Sequence, residues 1–106
     1  MNPVSTMITR ISKRFNSSLL SSIEHFRKGN DHDGLVSFLK SIDDLEILLE
    51  INMYLEKPVI ELHRLIPIMK DILIHMQNQD ITGITDILEF ELYPLAKDLV
   101  VEGGDK

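Results

Sequence analysis

The sequence predicts an all-α fold, an antiparallel up-down-up-down four-helix bundle, from three observations. Apolar residues recur every three or four positions through four successive segments, the period of helices buried along one face. Five glycines and four prolines in 106 residues leave little material for the many reversals of a β fold. Ile and Leu dominate an apolar content of 43%, whereas aromatics are limited to four Phe and two Tyr. A chain of this length is one domain, residues 1–106, because either half alone would bury too small a core.

The first helix is expected over about 5–28. Val4, Ile8, Ile11, Phe15, Leu19, Ile23 and Phe26 form its stripe, and Ser18 and Ser22 beside it admit a close neighbour. Gly29 supplies a left-handed C-cap, with Arg27 and Lys28 in the last turn where the helix dipole favours cations. Asn30, Asp31 and Asp33 are N-cap candidates for the second helix, about 34–55. Its expected core face is Leu35, Phe38, Leu39, Ile42, Leu45, Leu49 and Met53. Val36, Ile47, Leu48, Ile51, Tyr54 and Leu55 spread apolar surface around its second half, so a contact between copies is expected at Ile47, Ile51 and Tyr54. Pro58 fits the first turn of a third helix, about 58–76, with Leu62, Leu65, Ile66, Met69, Ile72, Leu73 and Met76 inward and a mild bend at Pro67. Asp80 or Thr82 caps the fourth, about 82–101. There Ile84, Ile87, Leu88, Leu92, Leu95 and Leu99 line one face, Glu91 falls among them at about 100° per residue, and Pro94 is expected to kink the rod.

A shift of 49 residues sets Asp31 on Asp80, Gly34 on Gly83, Leu35 on Ile84, Phe38 on Ile87 and Leu39 on Leu88. Two duplicated αα-hairpins would account for it, and two such hairpins bury each other's apolar faces as a four-helix bundle.

The net charge of −6 is unevenly spread. Residues 1–30 carry five Lys/Arg against Glu24 alone, and the remainder carries six against sixteen acids. Most of the surface would therefore repel phosphates, and no nucleic-acid partner is expected. The absence of cysteine excludes disulfides and thiolate metal sites and fits a reducing compartment. No apolar run approaches the roughly 20 residues that cross a bilayer, so a cytoplasmic location and no membrane partner are expected. Residues 1–23, acid-free and rich in Ser and Thr, have a transit-peptide flavour but read as the first helix of the fold.

Tests for chemistry find no catalytic set and no cofactor or metal site. A di-metal carboxylate bundle needs Glu-x-x-His pairs, but the residues three before His25, His32, His63 and His75 are Ser22, Gly29, Ile60 and Ile72. Asp31-His32-Asp33-Gly34 lacks the further ligands of a calcium loop. A phosphate loop and a nucleophile elbow are both missing. His25-Phe26-Arg27-Lys28-Gly29-Asn30 resembles the H-x-x-K-G core of histidine phosphotransfer domains, themselves four-helix bundles. The resemblance implies His25 as phosphoacceptor with Lys28 offsetting the charge. Two features depart from that family: the motif precedes a helix end, and Arg27 stands where an apolar residue is usual. Asp86–Leu95, DILEFELYPL, resembles the ADLLEYELLPLL-type motif of small, uncharacterised helical proteins of Firmicutes, several encoded near motility genes. That implies a bacterial cytosolic bundle and nothing about catalysis.

The functional expectation is a non-enzymatic interaction, adaptor or chaperone-like protein, homodimeric, docking a protein partner through Phe90, Glu91, Tyr93 and Pro94. The alternative is phosphotransfer through His25. Glu91 carries a sharp condition, because an unpaired carboxylate on a buried face costs several kcal/mol: either it pairs with His63, Arg64, Lys70 or His75 of the third helix, or the kink at Pro94 turns it to solvent.

Overall fold

The computed structural model describes residues 3–104, with side chains over 3–99, as an all-α four-helix bundle. The elements are α1 (Pro3–Arg27), α2 (Asp31–Asn52), α3 (Leu62–Gln77), α4 (Ile81–Ile87), a π-helical turn (Leu88–Leu92) and α5 (Tyr93–Gly104). The last three make one continuous rod. Helix α1 packs on both α2 and α5, and α3 packs on α4.

Every residue of the α1 stripe except Val4 is buried, and Phe15 and Leu19 are fully enclosed. Helix α2 departs from its expected face. Leu35, Leu39 and Met53 are exposed, whereas Gly34, Ser41, Asp44, Leu48 and Asn52 are buried beside Phe38 and Leu45. The cause is a close α1–α2 contact built from small and polar groups. An added Cβ on Gly34 would lie 2.6 Å from Phe26 Cδ1, so glycine alone fits under that ring. The Ser22 hydroxyl donates to the Gly34 carbonyl at 2.7 Å, Ser21 and Ser37 hydroxyls meet at 3.2 Å, and Arg14 pairs with buried Asp44. These contacts roll α2 so that its small and polar face meets α1, while Ile42 and Leu49 pack half-buried against the edge of the core.

Two boundaries also move. Helix α2 ends at Asn52, and α3 begins at Leu62, not at Pro58. The Asn52 side chain explains both: its Oδ1 accepts from the Val59 and Ile60 amides at 2.9 and 3.2 Å, and its Nδ2 donates to the Ile60 carbonyl at 3.3 Å. Those amides, tied back to α2, keep residues 58–61 out of the helix. Pro67 sits within α3 as expected. Asp80 caps α4, accepting from the Gly83 amide at 2.9 Å.

The two helix–helix turns repeat, but at a spacing of fifty residues, not 49. Asn30 and Asp80 each donate an amide hydrogen bond five residues back, to the carbonyls of His25 and His75, both at 2.8 Å. The residue before each takes positive φ, Gly29 at 82° and Gln79 at 55°. Both turns close on the i−4 pattern, Gly34 to Asn30 and Ile84 to Asp80 at 2.9 Å. This is a Schellman-like C-cap running directly into the next N-terminus. Gly34 and Gly83 are thus one position out of register, and each serves its own packing.

Candidate functional site

Glu91 does not face the core; it is exposed. The π turn is responsible. Tyr93 donates its amide to the Leu88 carbonyl, five residues back, widening the helix by one residue just before Pro94. Pro94 lacks an N–H and its ring crowds the preceding turn, so the wide turn accommodates what would otherwise be a sharp kink. The inserted residue hands the inward place to Leu92, and the buried stripe continues through Leu95, Ala96 and Leu99. The carboxylate therefore needs no buried partner.

Phe90, 66% exposed, half-buried Tyr93 and exposed Pro94 come together as the sequence suggested. With Leu20 and Ile23 of α1, and Lys97, they line a surface groove of about 450 Å³. Lys97 Nζ stands 5.7 Å from the centre of the Tyr93 ring, a cation–π contact. At one end Arg27 holds Asp86 and Glu89. Hydrogen bonds to Glu89 first and Asp86 second raise the guanidinium pKa above its ordinary value, so it stays charged. Glu91 does not line this groove.

Ile47, Ile51 and Tyr54 are not brought together as one face. Ile51 packs against the core, Ile47 is partly exposed, and Tyr54 is 84% exposed in the turn after α2. His25 is half-buried in the last turn of α1, and Lys28 lies beyond the helix end in the turn. Among the described residues no three His, Cys, Asp or Glu side chains gather where they could hold a metal ion, and no helix is long and apolar enough to cross a membrane.

An almost wholly apolar concavity lies on the opposite edge of the bundle, between α2 and α3, and was not anticipated. The Asn52 clamp ties the end of α2 to the start of α3, and Phe38 shares a depression with Met76, so the two helices run antiparallel. Between them lies a trough of about 400 Å³, walled by Ile42, Leu45 and Leu49 on one side and Leu62, Ile66, Met69 and Leu73 on the other. Leu73 is 55% exposed and Ile66 46%. A second depression of about 190 Å³, lined by Phe26, Leu35, Phe38, Met76, Ile81 and Ile84, extends the surface along the same pair of helices. The sequence held one signal for it: α2 is greasy on most sides, and its small residues Gly34 and Ser41 share a face with the opposing serines of α1.

No curated protein and no solved structure matches the chain. A family model does, over residues 6–101, nearly all of the bundle including both grooves. The chain belongs to that family, described as a domain of unknown function, DUF8042.

Proposed function

We propose that the chain is a non-enzymatic docking protein of the bacterial cytosol, whose α2–α3 trough receives an amphipathic helix of a protein partner. The trough carries the reading. Its wall is almost entirely hydrocarbon, it runs between two antiparallel helices, and it has the form in which helix-in-groove recognition buries residues at i, i+3, i+4 and i+7. Exposed leucines in a contiguous strip are costly in water at about 25 cal/mol per Å² and mark interaction surfaces. The Phe90–Tyr93–Pro94 groove offers a second, more polar contact on the far edge. Phosphotransfer through His25 has less support, because His25 is half-buried and Lys28 lies outside its helix.

In-cell crosslinking tests the reading. A photoreactive phenylalanine in place of Leu73 should give a discrete protein adduct in the native host, and the same probe at exposed Glu24 should not. Absence of any adduct at Leu73 would overturn helix docking in the trough.

A further inference from the structure

We infer that the occupant of the α2–α3 trough is a second copy of this chain, related by a two-fold axis that runs along the trough. The inference rests on the reading of the trough as a docking surface; what covers it is the partner copy's own α2–α3 face instead of one separate helix. Charge selects it. Glu46 and Lys70 line the same trough from opposite walls. On the α2 wheel, exposed Asp43 and Glu50 flank Glu46 along the outer lip, whereas Lys40 stands about 150° from the trough. On the α3 wheel, exposed His63 flanks Lys70, whereas Asp71 lies roughly opposite the trough. Arg64 is turned away, paired with Glu61 and Asp98. Of the full charges, the α2 lip therefore carries Asp43, Glu46 and Glu50 and the α3 lip carries Lys70, while each lip also bears one exposed histidine, His32 and His63.

An isologous contact has its two-fold axis in the contact plane. An axis parallel to the helices lays α2 of each copy on α3 of the other, at the same height. Acidic lip then meets basic lip, twice, and the four helices form an intermolecular bundle. An axis across the helices would lay α2 on α2 and bring acid to acid. The charges thus favour one of the two arrangements. A 16-residue helix is about 24 Å long and a helix pair about 20 Å wide, a flat footprint of about 480 Å², below the ~800 Å² per partner of a standard interface and on the scale of a weak, reversible dimer. The groove at Phe90 lies on the opposite edge, so a dimer presents two of them.

Light scattering on the full chain, across a micromolar concentration series, should give twice the 12.2 kDa chain mass. Leu73→Glu should give a monomer with unchanged circular dichroism, since Leu73 is already exposed. Glu46→Lys and Lys70→Glu should each weaken the dimer about tenfold, because each reversal acts at two symmetry-related contacts, and the double exchange should restore most of the loss. A monomeric wild type, or a double exchange no stronger than the single variants, overturns the second-copy assignment. Fluorescence of an anilinonaphthalene sulfonate dye separates the two failures. A monomer whose dye signal disappears in Leu73→Glu overturns the dimer and leaves the trough open to another helix; a monomer without dye binding overturns the docking reading as well.

Discussion

Replacing Asn52 by alanine should cost about 2–4 kcal/mol of folding stability, although the residue touches neither groove directly. The figure follows from what the side chain holds. It satisfies the amides of Val59 and Ile60 and the Ile60 carbonyl, three hydrogen bonds in all. Ile60 is 1% exposed, so water cannot readily take over its two groups. Each lost neutral hydrogen bond is worth about 0.5–1.5 kcal/mol, and a buried group left unsatisfied costs about 1–3 kcal/mol. Val59 is only half-buried, and its amide can rehydrate, which keeps the total below the simple sum. Against a typical stability of about 5–15 kcal/mol the loss is readily measured. Urea unfolding followed by far-ultraviolet circular dichroism is the assay, with Asn52→Leu as the companion variant. Leucine restores the volume without the hydrogen bonds, so it should lose nearly as much as alanine. If both variants unfold within about 0.5 kcal/mol of wild type, residues 58–61 are not held by this clamp, and the account given for the start of α3 fails.

Four further outcomes follow from the same structure. Gln79→Gly should raise stability by about 0.5–1 kcal/mol in thermal melts, because Gln79 holds φ at 55°, where glycine avoids the Cβ clash. Gly34→Ala should lower stability by about 1–3 kcal/mol, since its Cβ would press on the Phe26 ring. Gly83→Ala should lower stability by about 1–2 kcal/mol, because its Cβ meets the His75 ring and the Asp80 carboxylate, and moving that carboxylate gives up its cap on the Gly83 amide; no loss would refute the account of the cap. Arg14→Ala should cost about 1–2 kcal/mol in the same melts by leaving Asp44, 6% exposed at its side chain, without its partner, and Asp44→Asn in that background should recover part of the loss.

Much of the fold was legible in the chain. The α1 stripe, the Gly29 cap, the Asp80 cap and the four-helix count all follow from periodicity and from the chemistry of helix ends. These are local matters, decided within one or two turns. The failures share a cause. The expected core face of α2 came from counting leucines, but the orientation was decided by what lay across from it: Gly34 under Phe26, Ser22 on the Gly34 carbonyl, Arg14 on Asp44. Glu91 falls inward on a uniform 100° wheel, and of the two readings this left open, a basic partner or a turn to solvent at Pro94, the π turn decides for the second. The cluster of Phe90, Tyr93 and Pro94 survived because neighbours in sequence remain neighbours in space through one helical turn.

By itself, then, the sequence determined an acidic, cysteine-free, all-helical chain, the number of its helices and most of their ends, because periodicity and capping act over a few residues. Tertiary structure alone decided the roll of α2, the spacing of the repeated turns and the trough beside α3. Those depend on which small side chains meet across an interface, and that meeting depends on both helices at once.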